Sequence, residues 1–222
     1  MKTSLSIYAI ETAKILLKIQ AVQLNSLTPF TWASGLRSPV YCNNRLSLSN
    51  VKERKFIKVG LAELIHNNFP DVEMIAGVAT AGIAMGALIA DELDLPYVYV
   101  RSVPKDHGTE SQIEGGTVFR KKIVVFEDLI STGGSSLNVV DVLRNDDADI
   151  IGMSAVFTYG FEKAKKAFAE ANVKLVTMTD YQTLLSAAVQ SQYITADEQR
   201  LLENWSANPQ VWSDNFLSNN QN

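Results

Sequence analysis

The stretch Ile123-Val-Val-Phe-Glu127-Asp128-Leu129-Ile130-Ser131-Thr132-Gly133-Gly134-Ser135-Ser136 constrains this chain more than any other. It begins with β-branched and aromatic residues and ends with hydroxyls and glycines. The apolar residues Leu137, Val139, Val140, Val142 and Leu143 follow at a spacing that suits one face of a helix. The pattern predicts a buried strand, a loop and a helix ending near Arg144. Such a strand delivers two adjacent carboxylates at its C-terminal end. The Gly-Gly pair lets the loop turn tightly and lets its amides approach an anion. The helix adds free N–H groups and the positive end of its dipole at the same spot. Acceptors for hydroxyls therefore lie beside donors for a phosphate, and a ribose 5-phosphate offers both kinds of group.

The rest of the chain repeats the strand–helix alternation. Strands are expected at 74–78, 96–100, 149–158 and 173–177. Helices are expected at 7–19, 50–67 (capped by Ser49 or Asn50), 82–93, 161–171, 181–191 and 196–204. Two short strand-like pieces, 30–32 and 38–41, are joined by Ala33-Ser-Gly35-Leu-Arg37 and suggest a hairpin outside the main sheet. The tail 218–222 reads as disordered. This alternation predicts an α/β fold with a mostly parallel central sheet flanked by helices and a small N-terminal hood over about 1–48. A single domain spanning 1–222 is expected, with a possible contribution of the C-terminal helices to the hood. Ligands of such sheets bind beyond the C-terminal strand ends. Three unusual segments start there: Gly77 to Gly86, Arg101 to Gly116 and Glu127 to Ser136.

Composition narrows the chemistry. With 46% apolar residues, 20% charged residues and a net charge of −4, nothing favours non-specific nucleic-acid binding. Cys42 is the only cysteine, which excludes an intrachain disulfide or a Cys-based zinc site, and it is expected to be a packed thiol. His66 and His107 are too few for a His-rich metal site. The sequence shows neither a signal-type h-region nor an apolar run of membrane-spanning length, and a cytoplasmic location is the expectation.

The three segments each have a plain and a chemical reading. Glu127-Asp128 suits a solvated turn with a helix cap, or a ribose site. A P-loop reading requires G-x-x-x-x-G-K-[ST]; Gly77-Val-Ala-Thr80-Ala81-Gly82 has the glycines without the lysine and hydroxyl, so a nucleoside triphosphatase is disfavoured. The same segment suits either a packed strand–helix turn or an anion cradle. Arg101, Lys105 and His107 sit in a long aperiodic segment that reads as a surface hairpin or as a mobile lid over phosphate. Ser34 to Arg45 suits an ordinary hairpin, or a holder for a planar anionic ring.

Val124-Val-Phe-Glu127-Asp128-Leu129-Ile130-Ser131-Thr132-Gly133-Gly134-Ser135 resembles the signature with which type I phosphoribosyltransferases bind 5-phosphoribosyl 1-pyrophosphate (PRPP). Arg101-Ser-Val-Pro-Lys105-Asp-His107-Gly108 resembles the catalytic loop of the orotate phosphoribosyltransferases. Ser34-Gly35-Leu-Arg37-Ser38-Pro39-Val-Tyr41-Cys-Asn-Asn-Arg45 is similar to the hood of one bacterial branch of that family. The resemblance implies transfer of a phosphoribosyl group from PRPP to orotate, yielding orotidine 5′-monophosphate. It implies that Glu127 and Asp128 bind the ribose hydroxyls, and that the stretch from Leu129 and Ile130 through Thr132, Gly133, Gly134 and Ser135 holds the rest of PRPP's ribose 5-phosphate. Thr80, Ala81 and Gly82 would cradle pyrophosphate, reached also by Arg101, Lys105 and His107. Lys105 and Asp128 would be catalytic, and Ser131, Tyr41 and Arg45 (Arg37 second) would meet orotate. Mg²⁺ would travel with PRPP rather than in a protein cage. A homodimer is implied, with the 101–116 loop serving the neighbouring subunit. A non-catalytic PRPP-binding regulator and a transferase for another base are the alternatives.

The chain departs from the family where lysines are frequent: Ala33, Ala81 and Ser102 stand in their places, and Gly160 stands where one branch has an arginine for the orotate carboxylate. Arg45 is the expected substitute for that arginine.

Overall fold

A computed structural model describes residues 2–32, 34–102 and 112–219. The chain forms two compact units, Leu48–Met178 and a second made of Lys2–Ser47 with the segment from Thr179 on.

The first unit carries a six-stranded sheet. Its strands are β5 (Met74–Val78), β6 (Tyr97–Val100), β7 (Ile113–Glu114), β8 (Lys122–Ile130), β9 (Asp149–Thr158) and β10 (Leu175–Asp180), in the order β10-β9-β8-β5-β6-β7. β5 runs parallel to both β6 and β8, and β8 runs parallel to β9; the short β7 returns antiparallel on β6. The helices α2 (Val51–Asn68), α3 (Gly82–Leu93), α4 (Gly134–Asn145) and α5 (Glu162–Glu170) complete the unit. The expected α/β fold with a mostly parallel sheet flanked by helices is therefore present.

Period-2 alternation explains the core. All five residues of β5 and residues 123–127 of β8 are buried, as befits strands covered on both faces. Ile123 and Val125 join the apolar cluster that includes Val139, Val140 and Leu143 of α4 and Phe168 of α5. Phe126 points to the opposite face, beside Gly86 of α3. One residue of β9 is unpaired where the register slips between Ile123↔Ile150 and Val124↔Gly152. Gly152 cannot carry a side chain there, since a Cβ would lie 2.2 Å from the Phe69 ring.

The second unit contains α1 (Lys2–Lys18), four short strands and α6 (Tyr181–Gln190), α7 (Ala196–Ala207) and α8 (Pro209–Asn219). β2 (Phe30–Thr31) pairs antiparallel with β3 (Arg37–Ser38), as the hairpin reading expected. The following β4 (Val40–Cys42) pairs instead with β1 (Val22–Leu24), a strand too short to announce itself in the sequence. Trp205 is fully buried with Trp32 and Tyr181 edge-on to it, at 5.8 and 5.5 Å between ring centroids. The Arg37 N–H donates to Ser213 Oγ at 2.9 Å, which ties the hairpin to α8.

Several boundaries differ from expectation. α8 occupies a stretch for which the sequence predicts no element and reaches two residues into the tail that reads as disordered; it is started by Pro209 in the first turn and by the Val211 N–H donating to Asn208 Oδ1. Asn50 precedes α2 without a side-chain cap. α7 begins with a full capping box between Thr195 and Glu198 and runs to Ala207, past the expected end at 204. Among the described residues no helix is long and apolar enough to cross a membrane.

Candidate active site

Parallel strands end together, and here their ends place three loops side by side. β5 leads through Ala79, Thr80 and Ala81 into α3; β8 leads through Ser131, Thr132 and Gly133 into α4; β6 leads into Arg101. The first two loops enclose a cleft of about 330 Å³, walled by Glu127, Asp128 and Leu129 and by the hydroxyl residues Thr80, Ser131, Thr132, Ser135 and Ser136. A second cleft of about 440 Å³ adjoins it, lined by Ile83, Tyr99, Arg101, Ser102 and Glu114. Ala79 and Thr80 belong to both.

Glu127 is the buried acid of the site, 6% exposed. Its Oε1 accepts the Asp128 N–H at 3.0 Å, and its Oε2 accepts the Ser136 hydroxyl at 3.2 Å. Burial, and then the neighbouring Asp128 charge, push its carboxyl up to about 8 against the lowering effect of the backbone bond. Asp128, one residue on, is half-buried and lines the open cleft. Both carboxyls wall the cleft, Glu127 held by its two hydrogen bonds and Asp128 the more exposed.

The glycines are set by contact. Gly133 has φ +85°, and a Cβ on it would lie 2.8 Å from Phe168 Cε2. This left-handed turn starts α4, and the Leu137 N–H is bonded to the Gly133 carbonyl. The amides of Gly134, Ser135 and Ser136, in the first turn, lie beyond the reach of any preceding helical carbonyl. Gly82 starts α3 against the sheet; a Cβ there would lie 2.8 Å from the Phe126 carbonyl oxygen. Tyr97 braces the same loop, donating its hydroxyl to the Ile83 carbonyl at 2.8 Å. Its ring fills the space at Gly77, where a Cβ would lie 2.2 Å from its oxygen. The Ala79–Thr80 peptide is cis, and the Ala79 N–H donates to the Val100 carbonyl at 2.9 Å.

The remaining expected residues fall as follows. Gly82 is buried at the base of α3. Ile130 turns into the core at 0% exposure, and its carbonyl accepts from Thr158 Oγ1 and the Tyr159 N–H, so its side chain does not face the cleft. Arg101 is half-buried and fixed through its backbone, its N–H donating to the Gln112 carbonyl at 2.9 Å and its carbonyl accepting from Gln112 Nε2. Lys105 and His107 lie outside the described residues, as does Ala33. Ala81 lines the first cleft and Ser102 the second. Gly160 has φ +69° and donates its N–H to Thr158 Oγ1. Tyr41 and Arg45 belong to the second unit, where both are exposed. Arg45 Nε donates to Asn43 Oδ1 at 3.0 Å, and the Tyr41 ring packs 5.6 Å from Phe30. Cys42 is half-buried with its thiol near Asn44 Oδ1. Among the described residues no three His, Cys, Asp or Glu side chains are grouped to hold a metal.

Ser136 and Tyr97 carry no signal in the sequence. Ser136 reads as one more small residue at a helix start, and Tyr97 as a strand aromatic. Only the packing shows that one hydroxyl is bonded to Glu127 and the other to the Ile83 carbonyl.

A phosphoribosyl transferase domain matches residues 47–184. An orotate phosphoribosyltransferase of Listeria innocua is 50% identical over 202 residues, covering 91% of this chain and 97% of that protein. One from Streptococcus thermophilus is 52% identical over 206 residues, covering 93% and 99%. Among solved structures, the orotate phosphoribosyltransferase of Aeropyrum pernix superposes with a TM-score of 0.71 at 31% identity, over 82% of this chain and 99% of that one. The UMP synthase of Leishmania donovani shares the fold with a TM-score of 0.76 at 21% identity, over 89% of this chain and 42% of that one.

Proposed function

Because the chain belongs to the orotate phosphoribosyltransferases, we propose that its two adjoining clefts hold the ribose 5-phosphate and pyrophosphate halves of PRPP. The enzyme transfers the phosphoribosyl group to orotate, giving orotidine 5′-monophosphate and pyrophosphate, in pyrimidine synthesis. The observation that carries this reading is the meeting of adjacent carboxylates and a glycine-hydroxyl helix start in one cleft.

Glu127 and Asp128 accept the 2′- and 3′-hydroxyls of ribose. The amides of Gly133, Gly134 and Ser135, with the Thr132 and Ser135 hydroxyls, hold the 5-phosphate at the positive end of α4. Thr80, Ala81 and Gly82 hold pyrophosphate from the shared wall, and Arg101 meets it from the adjoining cleft. The carboxylates of Glu127 and Asp128 are hard oxygen ligands that fit a substrate carrying Mg²⁺. Bound with PRPP, Mg²⁺ would supply charge neutralisation at the leaving group.

The reaction breaks the bond from the anomeric carbon to pyrophosphate and forms one to a ring nitrogen of orotate. Positive charge develops on the ribose while negative charge builds on pyrophosphate. The protein therefore contributes alignment, cationic groups at the leaving oxygens and exclusion of water. Asp128, on the cleft wall beside the ribose, places a negative charge near the developing cation. Lys105 and His107, which follow Arg101 in the sequence, act on the pyrophosphate of the neighbouring subunit of a homodimer. Orotate is already anionic, so no strong base is needed. Ser131 contacts it from the end of β8; the orotate roles of Tyr41 and Arg45 rest on the hood's resemblance to the family.

Purified protein with PRPP, Mg²⁺ and orotate tests the assignment through the loss of orotate absorbance, with uracil and hypoxanthine as comparison bases. Consumption of orotate alone is expected. No consumption of orotate, or equal consumption of another base, would overturn it.

A further inference from the structure

We propose that Ser136 is a positioning residue of the phosphoribosyl site, its hydroxyl holding the buried Glu127 side chain in the orientation that receives the ribose hydroxyls. The inference rests on the ribose assignment of Glu127 and extends it to a residue outside the PRPP signature. Glu127 and Ser136 are 6% and 1% exposed, so water cannot take over the contact between them. The two carboxyl oxygens are held from different elements. Oε1 is held by the Asp128 N–H of the same strand, and Oε2 by a hydroxyl from the first turn of α4. With the first contact alone the carboxyl is free to pivot about Oε1. The terminal torsion of a glutamate is broad, and ordering it on binding carries an entropic cost. The second contact removes that freedom before the substrate arrives.

The placement of Ser136 also links two halves of the site. Gly134 and Ser135 are exposed residues of the turn proposed to receive the 5-phosphate, while Ser136 on the same turn points inward to Glu127. A helix start anchored at Gly133 thus fixes the phosphate donors and the ribose acceptor as one rigid piece. Serine in a first helical turn ordinarily faces water or the backbone; here its burial leaves the glutamate oxygen as its acceptor.

Ser136→Ala removes the hydroxyl without a change of backbone. Titration calorimetry with PRPP and steady-state kinetics with both substrates give the readout. The expected result is a rise of about three- to tenfold in the Kd and KM for PRPP, the usual weight of one hydrogen bond. The KM for orotate should hold, and the melting temperature should fall only by the weight of the one lost buried hydrogen bond. Ser136→Cys, which keeps the size with a weaker donor, should fall between. In a Glu127→Ala background Ser136→Ala should have no further effect. Unchanged PRPP binding in Ser136→Ala, with Glu127→Ala impaired, would overturn the positioning role alone. Unchanged PRPP binding in Glu127→Ala would overturn the ribose assignment beneath it. Parallel losses for both substrates with a lowered melting temperature, persisting without Glu127, would reduce Ser136 to packing and overturn the proposal.

Discussion

Gly133→Ala is the substitution whose cost can be worked most fully from the geometry. Two penalties act at once. The residue sits at φ +85°, and an L side chain in the left-handed region costs about 1–2 kcal/mol. The new Cβ would lie 2.8 Å from Phe168 Cε2, inside any normal contact, and that ring is 4% exposed within the apolar cluster beneath α4. Forcing an extra methyl into a packed site costs about 1–3 kcal/mol. Together the change should destabilise the fold by about 2–5 kcal/mol, a large part of an ordinary domain's total of about 5–15 kcal/mol. The same strain acts on the turn that presents the Gly134 and Ser135 amides, so phosphate affinity should fall with stability. Urea unfolding followed by tryptophan fluorescence measures the first effect, and calorimetric titration with ribose 5-phosphate the second. A variant within about 0.5 kcal/mol of the parent, with unchanged affinity, would show that neither the turn nor the Phe168 contact shapes this loop.

Three further outcomes are expected. Lys105→Ala should lower turnover by a factor on the order of 10², the usual loss for one charge contact made in the transition state, read from initial rates at saturating substrates. Tyr97→Phe should cost about 1 kcal/mol by removing the bond to the Ile83 carbonyl, and should raise the inhibition constant of pyrophosphate more than the KM for orotate. Glu127, pushed by burial from 4.5 to about 8, favours the folded state in its protonated form. Its contribution in the ligand-free protein is full below about 4.5 and is lost as the pH rises towards 8; Glu127→Gln should flatten that part of the stability curve, measured by denaturant titration across this range.

What the sequence could reveal follows from the range of each interaction. The β8–loop–α4 unit is legible because its strand, turn and helix patterns are local and consecutive, and because two carboxylates beside glycines have few other uses. The meeting of the 79–81 and 131–133 loops follows from parallel topology alone. Ser136 is not legible, because its partner is nine positions upstream on another element. The second unit is less legible still. Its ties join residues as far apart as Arg37 and Ser213, separated by 176 positions, and Trp32 and Trp205, and periodicity carries no record of such pairs. Ile130 shows the opposite error: its motif position suggests a ligand contact, whereas its side chain is fully buried in the apolar cluster beside Ile123 and Val125.

A crystal structure of the enzyme with orotidine 5′-monophosphate tests the division of labour most directly. The 5-phosphate should lie at the Gly133–Ser135 amides and the ribose hydroxyls on Glu127 and Asp128. A phosphate bound away from the start of α4, or ribose hydroxyls out of reach of both carboxylates, would contradict it.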